Sequence, residues 1–508
     1  MATIVRPEVA TYQQYIDGEW TGAEAGETFE VLNPSTEEVV ALAPAGGRAD
    51  AQRAIAAARR SFDQGEWRNK TQLQRSQIMF EIAKHLQDRS GDWALLEAQT
   101  AGATIRKAAV VDVPMAVETF RSMAEQALQI PWYEPLPWID IPHVSWNFVQ
   151  REAVGVCTGI IPFNFPLLIA MWKLAPALAM GNSVVLKPSP FTPLTLLEVA
   201  RAIDETRLLP RGVLNVVTGP GAELGEELVV NEDVDKVAFT GSTAVGRRIL
   251  EMAAPTIKKV TLELGGKSAN IVCADADLDI AVDGTLFGTF FHQGQACESG
   301  HRLYVHDDVY DAFMERLVAT ASRLRVGDAT DFDTQVGPVI SRRQYESILA
   351  AVDRAQLEGA TVLCGGGRAK GVGEKGYFIQ PTVLADVDPD SVMGTEEVFG
   401  PVLAVQRWND PGDVIRRANR SIYGLAGGVW SRDTRGAIEM AKQLRTGTVW
   451  INDWHLLNPL APFGGYKQSG TGRELGAYGL REYTETKHIH VDQNVPRRER
   501  YFYDVLLG

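Results

Sequence analysis

Cysteine is scarce in this sequence. Four stand among 508 residues, Cys157, Cys273, Cys297 and Cys364, which is too few for a disulfide framework. No two lie two or three positions apart, so a zinc ribbon has no ligand spacing to draw on and no metal site is expected. Positive charge is in deficit: 50 Lys and Arg face 64 Asp and Glu, a formal net charge of −14. Phosphate attraction needs a basic patch, so neither nucleic acid nor an anionic membrane surface is an expected partner. An uninterrupted apolar run is also missing. Residues 160–180 come nearest, but Asn164, Lys173, Pro162, Pro166 and Pro176 interrupt them, and three helix breakers predict a buried, irregular segment rather than a membrane span. Residues 1–8 carry no apolar stretch of the signal-peptide kind, so a cytoplasmic protein with reduced thiols is expected. No repeat of 20–50 residues is visible, which excludes solenoids and propellers.

What is present is the ordinary balance of a globular protein, 45% hydrophobic and 22% charged residues. At this length about three structural units are expected. Residues 15–20 read as a hairpin, and 48–62 and 73–87 as amphipathic helices, with helical character continuing toward Leu128. A stretch with four prolines, 131–142, then excludes helix, and 144–154 alternates like an extended ribbon, as in a protruding two-stranded arm. Short β-branched runs at 183–186, 213–217, 236–239 and 260–264 are separated by helical segments at 194–205, 222–229 and 244–253. That alternation predicts a parallel sheet covered on both faces, with ligands at the carboxyl ends of its strands. A second α/β unit is expected from Ser268 to about Ile451, with strands at 270–273, 303–305 and 402–406 and a helix at 309–324. The tail after Lys487 reads as extended and half aromatic.

Several segments carry chemistry. Gly219-Pro220-Gly221, with Gly225, opens a helix after a strand, either as a plain turn or as part of a dinucleotide site. Phe239-Thr240-Gly241-Ser242 repeats that junction, and its free backbone N–H groups suit a phosphate as well as a simple helix cap. Asp275, Asp277 and Asp279 imitate the start of a calcium loop, but Ile280 and Leu286 stand where glycine and glutamate are needed; capping of the next helix is expected instead. Cys297 lies in a glycine-flanked loop after a helical run at 278–291, so it is either a small buried hydrophobe or a nucleophile. Glu263 ends an apolar strand before two glycines. It pairs with a cation such as Lys267, or it is a general base whose pKa burial has raised. Asn164 is fixed between Pro162 and Pro166, as an oxyanion donor or as a partner for loop carbonyls.

Seven blocks, in order, resemble the aldehyde dehydrogenase superfamily from about Tyr15 to Lys487. They are Pro162-Phe163-Asn164-Phe165-Pro166, Lys187-Pro188-Ser189, the segment from Phe239 to Gly246, Leu262-Glu263-Leu264-Gly265-Gly266-Lys267, Gly294-Gln295-Ala296-Cys297, Glu396-Glu397-Val398-Phe399-Gly400-Pro401 and the segment from Pro462 to Gly470. The resemblance implies an α/β fold with a Rossmann-like cofactor domain (residues 1–134 and 154–265), a second α/β catalytic domain (266–485) and a small β oligomerisation arm (135–153 and 486–508). It implies NAD(P)-dependent oxidation of an aldehyde to the carboxylic acid, with Cys297 as nucleophile, Asn164 as oxyanion donor and Glu263 as the base that activates water. Lys187, Ser189, Gly221, Gly241, Ser242, Val245, Gly265, Glu397 and Phe399 would hold the dinucleotide. Phe165, Trp172, Phe291 and Phe463 would line the aldehyde tunnel, and their aromatic character suits an apolar aliphatic or aromatic substrate.

Two positions depart from the family pattern. Pro190 occupies the place where many NAD-using members carry an acidic residue; NAD is expected, with NADP possible. Phe163 replaces a common tryptophan. A homo-oligomer, dimer or tetramer, is implied by the arm and the tail. The competing readings are a CoA-acylating aldehyde dehydrogenase, for which Glu263 would be useless, and a non-redox cysteine hydrolase using His292 or His301.

Overall fold

The computed structural model describes residues 9–138, 140–141 and 143–508. The first eight residues, on which the expectation about a signal peptide rests, and Ile139 and Pro142 of the proline-rich stretch lie outside the described residues.

Two largely parallel sheets carry the molecule. In the first, Lys259–Glu263, Lys236–Thr240, Val156–Ile160, Ser183–Lys187 and Leu214–Val216 run parallel in that spatial order. Gly470–Thr471 on one edge and the hairpin Gln14–Ile16 with Glu19–Thr21 on the other bring it to eight strands. The apolar residues of the central strands are buried on both faces by helices, which is why they read as continuous runs. From Val156–Ile160 the chain winds outward through two strands, then returns to the other side for the next two. Strand order therefore reverses beside Val156–Ile160, and the loops that leave Ile160 and Thr240 part there to form a crevice.

The second sheet has seven strands in the order Thr361–Cys364, Thr382–Ala385, Val402–Trp408, Arg302–His306, Ala269–Val272, Ala426–Trp430 and Thr448–Ile451. All pair in parallel except the first, an antiparallel edge. Residues 264–268 connect the carboxyl end of the first sheet to the amino end of the second, so the two units face each other across this crossing. The arm, expected as two strands, is a three-stranded sheet of Tyr133–Pro135, Ser145–Ala153 and Thr484–Asp492, the third strand coming from the far end of the chain.

Two expectations need correction. The apolar stretch read as irregular contains a regular helix, Pro166–Ala179, buried along all 14 residues. Pro166 sits at its start, where no N–H is required. Pro176 removes one interior hydrogen bond, which packing around the buried helix outweighs. The buried Lys173 is satisfied by Thr240 Oγ1 at 2.9 Å and Glu474 Oε1 at 2.7 Å. The tail is extended only to Asp492. It then folds into short turns at Arg497–Glu499 and Tyr501–Tyr503 and a terminal turn of helix, Asp504–Leu507.

Candidate active site

The loop that carries Cys297 is held in a demanding conformation. Helix Leu278–Phe290 starts on Asp277, whose carboxylate accepts the Ile280 N–H; Asp275 instead accepts from Ser431 Oγ and the Asp433 N–H. Past the helix, His292, Gln293 and Gly294 take positive φ values of 51°, 57° and 68°. For the two non-glycine residues this costs about 1 kcal/mol or more each and persists only where the surroundings enforce it. They do so here: Gln293 Nε2 donates to Gly102 O at 3.0 Å, Gln295 Oε1 accepts the Ile340 N–H at 3.1 Å, and Asn164 Nδ2 donates to Gln295 O at 2.8 Å. A Cβ on Gly294 would overlap Gly400 O, and one on Gly266 would overlap Cys297 O. The result is a half-buried thiol that opens on two cavities, one on each side.

Asn164 combines two expectations. One of its amide protons anchors the cysteine loop, and the same side chain lines the second cavity with Cys297. Glu263, the last residue of its strand, lines both cavities. The ion pair with Lys267 does not form: Lys267 Nζ and Glu263 Oε2 both lack hydrogen-bond partners among the described residues. Burial, reinforced by Glu474, pushes the Glu263 carboxyl well above the usual range. Burial also raises the Cys297 thiol well above its ordinary value, and Glu298, Glu397 and Glu263 add to the effect. The resting group is therefore a thiol. His292 and His301 are buried, and neither is among the hydrogen-bond partners of the sulfur, so the geometry gives a hydrolase no imidazole base at either position.

The second cavity, of about 290 Å³, fills the crevice between the sheets. Phe163, Gly241, Ser242, Gly265, Glu397 and Phe399 line it. Ser242 caps helix Thr243–Ala253, accepting the Val245 N–H at 3.4 Å. Glu397 reaches the crevice because Gly265 has no side chain; a Cβ there would overlap its carboxylate. Its Oε1 accepts the Gly266 N–H at 2.8 Å, and burial raises its pKa to about 7. Phe399, at φ 53°, stands edge-on to Phe163 with ring centres 5.8 Å apart. Lys187, Ser189, Gly221 and Val245 lie outside this lining. Lys187 ends its strand and Gly221 precedes helix Ala222–Val230, so both sit at the carboxyl edge of the same sheet. Burial alone lowers Lys187 to about 8, the mark of an ammonium without a carboxylate partner among the described residues. A dinucleotide fits this donor set. A helix start with free N–H groups suits its phosphates, a carboxylate and an unpaired lysine suit ribose hydroxyls, and a glycine-lined cleft admits its backbone.

The first cavity, of about 150 Å³, is almost wholly apolar. Phe165, Trp172, Phe291 and Phe463 all line it, together with Cys297 and Glu263. The sequence reading missed Phe287, Glu298 and His455, which share the lining. Glu298 follows the cysteine directly, and a carboxylate in that small-residue loop was a usable signal. His455 had none, because only tertiary structure brings it to the thiol from just past the edge strand Thr448–Ile451 of the second sheet.

The fold and site define an α/β enzyme in which a dinucleotide crevice and an apolar tunnel meet at one thiol. The sequence model of the aldehyde dehydrogenase family matches residues 20–489. The chain is 44% identical to betaine aldehyde dehydrogenase of Bacillus subtilis, over 94% of this chain and 96% of that protein. It is 43% identical to a mitochondrial benzaldehyde dehydrogenase of Antirrhinum majus, over 93% and 88%. An NAD+ complex structure of aldehyde dehydrogenase from Bacillus cereus superimposes with a TM-score of 0.92 at 42% identity, covering 95% of this chain and 97% of that one. The chain belongs to the aldehyde dehydrogenase family.

Proposed function

We propose that this protein oxidises an apolar aliphatic or aromatic aldehyde to the free carboxylic acid with NAD, through Cys297. The observation that carries the reading is the position of the thiol, at the meeting point of an apolar tunnel and a crevice with dinucleotide donors. The aldehyde enters between Phe165, Trp172, Phe291 and Phe463, and Cys297 Sγ attacks its carbonyl carbon. The free Nδ2 proton of Asn164 and the Cys297 backbone N–H stabilise the thiohemiacetal oxyanion; losing one such donor typically costs about 2.7–4 kcal/mol of barrier. A nicotinamide held in the crevice beside Glu397 and Phe399 would supply the hydride acceptor that converts the thiohemiacetal on Cys297 to a thioester. Glu263, once ionised, removes a proton from the water that cleaves the thioester.

Lys187, Ser189, Gly221, Gly241, Ser242, Val245, Gly265, Glu397 and Phe399 are the dinucleotide contacts in this reading, and Pro190 leaves NADP a possible second cofactor. Residues 1–134 and 154–265 form the cofactor domain, 266–485 the catalytic domain, and 135–153 with 486–508 the arm of a homodimer or homotetramer. Exposed Trp138, Ile141 and Trp146 on that arm support the assembly. A cytoplasmic setting agrees with four free cysteines, and no helix among the described residues is long and apolar enough to cross a membrane.

Turnover of NAD to NADH with a panel of aldehydes tests the reading, with and without CoA. Free acid and NADH without CoA are expected. Acyl-CoA would indicate the acylating branch, for which a hydrolytic Glu263 has no use, and acid formed without NAD would indicate a hydrolase.

A further inference from the structure

Cys297 Sγ has one hydrogen-bond partner among the described residues, and it is the neighbouring side chain. Glu298 Oε2 lies 3.2 Å from the sulfur, and Glu298 Oε1 lies 2.9 Å from His455 Nδ1. Glu298 and His455 are 6% and 9% exposed. His455 Nε2 has no partner among the described residues. Both residues line the aldehyde cavity, and the imidazole packs between Phe287 and Phe291, with ring centres 5.3 and 5.0 Å away. His455 holds a positive φ of 60° to reach this position, a conformation that needs support from its surroundings.

A thiol that attacks a carbonyl must lose its proton to something. Burial and Glu474 push the Glu263 carboxyl well above the usual carboxylate range, and among the described residues no hydrogen bond joins it to the sulfur, whose partner is Glu298. Burial alone would raise Glu298 as well, but the hydrogen bond and charge of His455 outweigh it and hold Glu298 below the ordinary carboxylate value. An ionised carboxylate at hydrogen-bond distance is the geometry of a general base.

We propose that Glu298 is a second catalytic carboxylate, which accepts the Cys297 proton as the sulfur attacks the aldehyde, and that His455 is its positioning residue. The proposal rests on Cys297 being the nucleophile. In the step, the S–H bond breaks and an O–H bond forms at Glu298 Oε2. A sulfur electron pair makes the S–C bond, and the carbonyl π pair moves to oxygen beside Asn164. When water later cleaves the thioester, the departing sulfur takes the proton back from Glu298, so no further reactant is consumed. The two carboxylates thus divide the work: Glu298 serves the attack and Glu263 serves the hydrolysis.

The test is a rapid-mixing measurement of the first-turnover NADH burst across pH. Wild type, Glu298→Gln, Glu298→Asp, His455→Gln and Glu263→Gln are compared, with NAD binding as the check on folding. The titratable groups around the pair are Cys297, Glu263, Glu397, His301 and His455; burial and Lys267 push His301 down to about 3, leaving it neutral throughout. In wild type the burst rate is flat above the acid limb of Glu298. Glu298→Gln slows it about 10²-fold and makes it climb about tenfold per pH unit, because only hydroxide then supplies thiolate. Glu298→Asp is slowed but keeps the flat profile, and His455→Gln moves the acid limb to higher pH. Glu263→Gln keeps its burst. A Glu298→Gln burst with the rate and profile of wild type, or a Glu298→Asp profile that climbs like that of Glu298→Gln, overturns the proposal. Absence of a burst and of any thioester in wild type would instead refute the role of Cys297 itself.

Discussion

At the scale of single residues, the site depends on side chains whose surroundings shift their chemistry. Cys297→Ala removes the only sulfur among the described residues that opens on both cavities. It is expected to abolish NADH formation while NAD binding, measured by fluorescence titration, stays near wild type. Asn164→Ala is expected to slow acylation about 10²–10³-fold, read from the burst rate, and it also frees Gln295 O from its donor. Glu263 has its folded pKa raised, so ionisation favours the unfolded chain. The stability linked to the neutral form is present below the unfolded pKa and is lost as pH rises through the folded value. Glu263→Gln should therefore raise the melting temperature relative to wild type under mildly alkaline conditions and change it little below about pH 4, where the unfolded carboxyl is also protonated. The same variant should slow thioester hydrolysis about 10²-fold, and an equal melting-temperature difference at both pH values would contradict the assignment. Cys297, Glu263 and Asn164 were legible in the sequence because each is a reactive or polar residue set in glycines, prolines or an apolar run. His455 was not, since nothing near it in the chain announces that a fold will bring it to Glu298.

At the scale of elements, glycines let segments approach that side chains would hold apart. Gly266→Ala would drive a methyl group into Cys297 O and displace the loop that carries Cys297. A displacement of about 1 Å can cost about 10²-fold in rate. The expected outcome is a folded protein, by circular dichroism, with a burst slowed to that degree; wild-type activity would show that the loop moves aside freely. The parallel strands were legible because burial on both faces leaves unbroken β-branched runs, and helices must separate parallel neighbours. Helix Pro166–Ala179 was not, because its prolines read as breakers. One stands where a helix needs no donor, and the packing that offsets the other comes from parts of the chain distant in sequence.

At the scale of the whole molecule, two sheets bring a crevice and a tunnel to one loop, and the arm forms a separate three-stranded sheet. The arm presents Tyr133, Trp138, Ile141 and Trp146 at 63%, 73%, 71% and 49% exposure, and apolar area of that kind is expected to be covered by another copy. Light scattering at micromolar protein should give a dimer or tetramer mass; a monomer mass contradicts it. The alternation of residues 144–154 made the arm visible in the sequence. The turns after Asp492 were not, because aromatic residues carry no period over so short a stretch.

The central claim is that the aldehyde carbon becomes bonded to one particular sulfur. Rapid chemical quench of the enzyme with aldehyde and NAD, followed by mass measurement of its peptides, tests it most directly. An acyl mass on the peptide bearing Cys297 is expected, formed with the NADH burst and accumulating further in Glu263→Gln. Burst-level NADH with no acyl group on Cys297, or with the acyl group on another residue, would contradict it.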